Sequence, residues 1–241
     1  MLDIIVPVYN EDQGIIKLFN EILEEIQTPK RVLVVYDFEE DTTVPVVKKS
    51  RGQYPFEIVL IRNALGKGAL NAIKTGMQTA TNEMILVMMA DSSDKLDVVD
   101  TMCQRMTAGY DLVCGSRYMK GGRQHGGPFL KSLFSRCAGV SLCFLTHIPT
   151  HDVTNSFKLY RKDMLDNIKI ESIGGFEIGL EITVKAFSAG YKITEVPSEW
   201  FAREEGESNF HMWRWLPHYL HWYCLCIKQS WLRSLINLFK N

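Results

Sequence analysis

Short apolar runs alternate with segments of helical periodicity through the first half of the chain. Residues 2–8 (LDIIVPV) make an apolar run of strand length, and residues 14–26 repeat apolar side chains at helical spacing, which predicts an amphipathic helix. The alternation continues. Valine-rich residues 31–37 predict a second strand and 42–51 a helix; 56–61 a strand and 69–80 a helix; 84–90 a strand and 96–108 a helix; 111–115 a fifth strand. Strands separated by helices imply βαβ units and a mostly parallel sheet. The predicted fold class is therefore α/β, with helices flanking that sheet. Ligands of such sheets bind beyond the carboxyl ends of the strands. Three strand ends carry polar residues to that edge: the turn of residues 7–11, Asp37 and Asp91.

The pattern changes after Gly115. Gly121-Gly122 and Gly126-Gly127-Pro128 mark a loop. Residues 131–147 read as a helix apolar on most sides; 140–145 could touch lipid, with core the favoured place. Residues 156–160 read as a strand, 176–189 as a helix and 191–196 as a strand. The last 32 residues are aromatic and basic, so the chain divides into a main domain over 1–209 and a tail over 210–241.

Composition narrows this little: 241 residues, 46% hydrophobic and 23% charged, suit one large globular domain. A formal net charge of −1 gives no reason to expect nucleic acid as a partner. Local charge says more. Residues 112–151 carry Arg117, Lys120, Arg123, Lys131 and Arg136 without an acid, and 210–241 carry Arg214, Lys228, Arg233 and Lys240, again without one. Such stretches suit a phosphate, a polyanion or an anionic membrane, or are simply solvated faces. The six cysteines (103, 114, 137, 143, 224, 226) form no C-x-x-C pair and are expected as reduced core thiols of a cytosolic protein. The chain opens directly on a strand pattern rather than a secretory leader, and no run reaches the ~18 uninterrupted apolar residues of a spanning helix, so a soluble or peripheral protein is expected.

Several short stretches have two readings. Asp91 and Asp94 follow an apolar strand (VMMADSSD). Carboxylates there suit a Mg²⁺ or Mn²⁺ ion completed by substrate phosphates, while Ser92, Ser93 or Asp94 could instead cap the next helix. Pro7-Val8-Tyr9-Asn10-Glu11 ends a strand, with Asn10 a candidate cap. Gly66-Lys67-Gly68 lacks phosphate-loop spacing and reads as a helix-entry turn. Arg203 sits among glutamates in a polar loop, as a phosphate fork or a surface ion pair. Glu177, Glu181 and Lys185, four apart, read as a solvated helical ladder.

Taken in order, "IIVPVYNE", "VVYDFEED", "VMMADSSD", "CGSRY", "KSLFSR", "HDVTNSFKLYRK" and "EVPSEWFAREEGESNF" resemble glycosyltransferase family 2 over nearly the whole chain. Within it they resemble the polyprenyl-phosphate hexosyltransferases, the group that includes dolichol-phosphate mannose synthase. The resemblance implies a GT-A fold, Rossmann-like, and a role for each matched residue. Pro7, Tyr9, Glu11, Asp37 and Lys67 would hold a nucleotide sugar, GDP- or UDP-linked. Asp91 and Asp94 would hold a divalent cation, Mg²⁺ or Mn²⁺. Arg117, Lys131 and Ser135 would grip an acceptor phosphate. Arg203 would close over the donor diphosphate, and Asp152 would lie at the active-site floor. The departures are Met89 at the first aspartate of the metal motif, Ser93 for a glutamine, Asp94 for a histidine, Lys131 for an arginine, Asn209 for a lysine, and Asn155-Ser156-Phe157 for Ser-Gly-Phe.

A phosphate acceptor is nucleophilic at neutral pH, whereas a sugar hydroxyl needs a base. The acid-free basic stretch favours a phosphate acceptor, which the resemblance implies is a polyprenyl phosphate. Asp152 and Asp94 leave a glycan or glycolipid hydroxyl open, and Met89 leaves open a catalytically silent binding protein. Trp213, Trp215, Trp222 and Trp231 lie in the tail with basic residues, and residues 230–240 have helical amphipathic spacing. These suit amphipathic helices at the cytoplasmic face of a membrane, or packing against the domain or a partner subunit. A second copy of the chain also remains a possible partner.

Overall fold

The computed structural model describes residues 1–202 and 212–238, and in the last helix the side chains of 215–232. A seven-stranded sheet in the order β3-β2-β1-β4-β7-β5-β8 forms the centre. Its members are β1 (Leu2–Pro7), β2 (Lys30–Tyr36), β3 (Glu57–Arg62), β4 (Met84–Val87), β5 (Leu112–Ser116), β7 (Lys158–Arg161) and β8 (Ile193–Pro197). All run parallel except β7, which lies antiparallel between β4 and β5. The apolar runs are continuous because both faces of the sheet are covered. Along β2, Val32 and Val34 join the core under α1 (Gly14–Glu25), α2 (Thr43–Ser50) and α4 (Val99–Thr107). Leu33 and Val35 join the opposite core under α3 (Ala69–Thr79), α6 (Lys162–Asp166) and α7 (Ile178–Ala189). At Gly76 of α3 a Cβ would come within 2.4 Å of the Ile5 side chain, so glycine allows the helix to press on β1.

A third apolar cluster joins Leu142 of α5 (Phe129–Thr146), Leu180 and Val184 of α7, and Trp222 and Cys226 of α8 (Met212–Leu238). The tail is one helix that continues through Pro217, rather than several. Two pieces escaped the hydropathy pattern: α6, and a two-stranded sheet of β6 (Arg123–His125) and β9 (Glu199–Phe201), both too short for a period to show. β4 ends at Val87, and the next helix opens with a 3-10 turn at Leu96–Val98.

Three sequence expectations are corrected. Glu177 and Glu181 are fully buried instead of solvated. Each accepts two backbone N–H groups: Gly174 and Gly175 for Glu177, Glu171 and Ser172 for Glu181. The acids thus satisfy a loop whose amides have no strand partner. Of residues 140–145, Leu142 is core, but Val140, Phe144 and Leu145 point outward. All six cysteines are free thiols, yet only Cys103, Cys114 and Cys226 are buried; Cys137 and Cys224 lie exposed on α5 and α8.

Candidate active site

Beyond β1 the chain turns through Asn10 and Asp12, both with left-handed backbone (φ 53° and 45°). A residue that sequence reasoning passed over holds this turn. Asp41, fully buried, accepts the Asn10 N–H at 3.2 Å through either oxygen and the Thr43 N–H at 2.9 Å. The Thr43 hydroxyl accepts the Glu11 N–H at 3.0 Å, and Asn10 Oδ1 accepts the Thr42 N–H at 3.1 Å. Asn10 therefore ties its turn to the start of α2 and does not cap α1, which has no side-chain cap. The D-T-T run before a helix was the available signal for Asp41. Pro7 is buried at the end of β1, and exposed Tyr9 meets Phe38 edge-on at 5.6 Å. Lys67 Nζ lies 5.4 Å from the centre of the same Phe38 ring. Asp37 accepts Asn63 Nδ2 and the Gly68 N–H, each at 2.7 Å, so it fastens the Gly66-Lys67-Gly68 turn from which α3 starts.

Beyond β4, Ser92 takes a left-handed conformation and Asp91 Oδ1 accepts the Ser93 N–H at 3.1 Å. The capping alternative fails: neither the 3-10 turn at Leu96 nor α4 carries a side-chain cap. Asp94 instead points inward, 6% exposed, bridged through its backbone to Trp200 of β9. Its Oδ1 and the Ser93 hydroxyl are buried without a hydrogen-bond partner among the described residues. Burial pushes the Asp94 carboxyl up to about 7, with Arg117 opposing that rise and Asp91 adding to it. An orphaned buried carboxylate oxygen beside a second acid fits a hard divalent cation. No group of three acids, histidines or cysteines comes together among the described residues, so an ion held here would complete its shell with substrate oxygens.

Beyond β5 stands Arg117. Its Nε donates to Asp152 Oδ2 at 2.7 Å and its Nη2 to Asp152 Oδ1 at 2.9 Å, a two-pronged fork. Nη2 also reaches the Ser135 hydroxyl at 3.1 Å and Thr154 Oγ1 at 3.4 Å, and Ser135 and Thr154 bond each other at 2.5 Å. Burial alone would raise the fully buried Asp152 carboxyl. The Arg117 charge and hydrogen bonds outweigh it and hold the carboxyl below its usual value. Asp152 is thus the clamp of the guanidinium and a poor proton acceptor. Lys131 lies one helical turn before Ser135 on α5, on the same face. A cavity of about 570 Å³ opens here, lined by Arg117, Tyr118, Gln124, His125, Phe129 and Arg136. Thr154 and Tyr118 were not singled out by sequence; both flank residues that were.

The structure therefore brings Asp91, Asp94, Arg117, Asp152 and Ser135 into one constellation, with Pro7, Tyr9, Glu11, Asp37 and Lys67 along the same sheet edge. Arg203 lies outside the described residues, as does Asn209. The described chain reaches Ala202 from β9, where Phe201 donates its N–H to Ser93 O at 2.8 Å and Ala202 to His125 O at 2.9 Å.

A parallel sheet broken by one antiparallel strand, with acids beyond β4, is the GT-A architecture of nucleotide-sugar transferases. The chain belongs to glycosyltransferase family 2, whose model matches residues 3–169. It is 30% identical to a dolichol-phosphate mannosyltransferase of Pyrococcus furiosus over 213 residues, 86% of this chain and 58% of that one. It is 25% identical to a polyprenol monophosphomannose synthase of Mycolicibacterium smegmatis, over 86% of this chain and 79% of that one. The chain thus spans little more than half the length of the Pyrococcus relative. Among solved structures, glucosyl-3-phosphoglycerate synthase of Mycobacterium tuberculosis, in complex with Mn²⁺, UDP and glucosyl-3-phosphoglycerate, matches in fold with a TM-score of 0.63. That match is at 11% identity over 95% of this chain and 78% of that one.

Proposed function

We propose that this chain is an inverting hexosyltransferase that moves a hexose from a nucleoside-diphosphate sugar, GDP- or UDP-linked, to a polyprenyl phosphate at the cytoplasmic face of a membrane. One observation carries the reading: Ser135, bonded to the clamped Arg117, belongs to α5, whose outward face is apolar. An anion grip and a lipid-compatible surface on one helix suit an acceptor that is itself a phosphate on a lipid. The names of the relatives, each a transferase to a polyprenol-type lipid, agree with it.

The geometry of α5 also says how it would meet a membrane. It is long and apolar enough to cross one, yet Ser135, Gly139, Leu142 and Thr146 face the domain over its last twelve residues. At Gly139 a Cβ would strike the His151 carbonyl at 2.1 Å, so the helix lies directly on the loop that carries Asp152. A spanning α5 would drag Arg117 and Asp152 into hydrocarbon. The helix instead suits the interface plane, with Phe129, Leu130, Leu133, Phe134, Phe144 and Leu145 turned to lipid. On α8, Trp222 packs inward while Trp231 and Leu232 stay exposed, so the tail contributes to the same surface only in part.

In the reaction, Tyr9, Lys67 and the Asp41-held turn would seat the nucleoside. Asp91 and Asp94 would hold a divalent cation, and Arg203 would meet the donor diphosphate. The cation would supply charge neutralisation for the departing diphosphate. Arg117, with Ser135 and Lys131, would hold the acceptor phosphate in line. A phosphate oxygen then bonds to the anomeric carbon as the bond to the diphosphate breaks on the opposite face, inverting configuration. A phosphate dianion has no proton to lose, so the site needs no base. That fits Asp152, whose oxygens are committed to Arg117. A sugar-hydroxyl acceptor would need a carboxylate that is not so committed; Asp94 is such an acid, and on this reading the cation takes it.

The test is release of nucleoside diphosphate from a panel of donors, with polyprenyl phosphate, with sugar acceptors, or with neither, in Mg²⁺ or Mn²⁺. Turnover that requires the lipid phosphate supports the reading, and Arg117→Ala should abolish it. Turnover with sugars alone points to a glycan transferase. Donor binding without turnover on any acceptor points to a silent relative, the reading Met89 suggested.

A further inference from the structure

We infer that Lys158 is a positioning residue of the acceptor site: its buried ammonium fastens the 153–155 loop and through it holds the Asp152–Arg117 clamp in register. The inference rests on the proposed reading that Arg117 grips the acceptor phosphate. Lys158 opens β7, where the antiparallel register sets it beside Val87, the last residue of β4, and beside Cys114 of β5. It is fully buried. Nζ donates to the carbonyls of Val153, at 3.1 Å, and Asn155. No carboxylate lies within ion-pair distance of it among the described residues. A lysine charge without a direct counter-ion is costly in a core, and burial lowers this one's pKa while the Asp152 charge restores part of it.

What the ammonium holds explains why it is there. The two carbonyls flank Thr154, whose hydroxyl meets Arg117 and Ser135, and they follow Asp152 directly. The Asn155 N–H bonds Asp152 Oδ1 at 3.2 Å, and its side-chain amide bonds the Gly115 carbonyl at 3.1 Å, two residues before Arg117. α7 closes the space with bare backbone: a Cβ at Gly179 would stand 3.3 Å from Asn155 O and 3.5 Å from Lys158 Nζ. Basic and acidic groups alternate through Lys158, Asp152, Arg117 and Asp94, each coupled electrostatically to the next. Without the first, the loop keeps two buried carbonyls unpaired and Asp152 loses the cation behind it. A side-chain fork displaced by ~1 Å can cost on the order of a hundredfold in rate.

The experiment compares Lys158→Met, close in length, and Lys158→Arg in the full chain, using a short-chain polyprenyl phosphate. For Lys158→Met we expect the acceptor KM to rise about tenfold or more while the donor KM stays near wild type, and Lys158→Arg, which keeps the charge but adds bulk beside Gly179, to recover part of the loss. Equal loss toward donor and acceptor in a folded variant would overturn the inference, as would an unchanged acceptor KM. An activity-independent arm follows hydrogen exchange of the Arg117 Nε–H by NMR, assigned through its loss in Arg117→Lys. Faster exchange in Lys158→Met, or in Lys158→Gln if the methionine variant does not fold, supports the positioning role. Unchanged exchange refutes it. Should wild type use no polyprenyl phosphate, the functional reading fails while the exchange arm still decides Lys158.

Discussion

Replacing Phe129 and Phe144 together by glutamine tests whether α5 docks on lipid. These rings are 75% and 80% exposed, so they contribute almost nothing to the folded core. Full burial of such a side chain is worth about 1.5–3 kcal/mol, and three-quarters or more of that remains to be gained by each ring. The pair should therefore weaken membrane partitioning by about 2–5 kcal/mol, a thirtyfold to few-thousandfold drop at ~1.4 kcal/mol per decade. Folding stability should move by no more than about 0.5 kcal/mol, since glutamine is a good helix former and the positions are solvated. Vesicle flotation measures the first quantity and urea unfolding the second. Vesicles rich in anionic lipid should bind wild type more tightly and lose that advantage in high salt, because Arg136 is exposed on the helix and Arg123 is exposed at the cavity beside it. Unchanged flotation of the double variant would show that α5 does not face lipid. A large loss of unfolding free energy would show that both rings pack against protein.

Four further outcomes follow from the packing and the charges. Asp91→Ala should cut turnover a hundredfold or more and abolish its response to added Mn²⁺ or Mg²⁺, read by metal titration. Asp41→Ala should raise the donor KM while leaving the acceptor KM near wild type, because it releases the turn that presents Tyr9 and Glu11. Glu181→Gln should destabilise by about 1–3 kcal/mol in chemical denaturation, since the buried carboxylate serves the Glu171 and Ser172 amides and pairs with Lys185 at 2.7 Å. Burial would raise the Asp3 carboxyl, but Arg31, Asn82 and Thr81 outweigh it and hold it below 3.8. Its stabilisation is therefore present above that value and is lost as pH falls through the lower folded value. Asp3→Asn should flatten this acid limb of the stability–pH curve.

Strands β1 to β4 were legible because each is a short, largely apolar run bounded by polar residues and turns, too short for a helix, whereas β7, with Lys158 and Arg161 at its ends, carries no such run. Hence β1, β2 and β3 fall within a residue or so of expectation. Where polar contacts set the backbone, the pattern was silent. Apolar Met88 to Ala90 extended the expected β4, but there the chain leaves the ladder to place Asp91. α5 was legible as a helix but not as a surface, because hydropathy records apolar character and does not say whether protein or lipid receives it. Glu177, Glu181 and Lys185 misled for a related reason. Spacing by four marks one helical face, and which side of the fold that face meets is decided by a loop ten residues away. The candidate site was visible through motif order, whereas the clamp on Arg117 needed a contact 35 residues distant.

On the proposed reading, the reversal of β7 is what would let one sheet edge serve both a donor and an acceptor. In the parallel strands the carboxyl ends face the site, so each offers the residues that follow it: Asp37 after β2, Asp91 after β4, Arg117 after β5. Neighbouring strands lie about 4.8 Å apart, which puts β2 and β4 about 10 Å from each other and β4 and β5 about 10 Å again. On that reading the first interval would suit a nucleoside with its diphosphate reaching Asp91 and Asp94. The second would suit a sugar between that diphosphate and an acceptor phosphate held by Arg117. A parallel strand between β4 and β5 would bring a third carboxyl-end loop into that gap. Running the other way, β7 instead brings its own beginning there, and the residues leading into it are Asp152, Thr154 and Asn155. The strand that interrupts the parallel order is thus the element that delivers the counter-charge for Arg117, with Lys158 as its first paired residue.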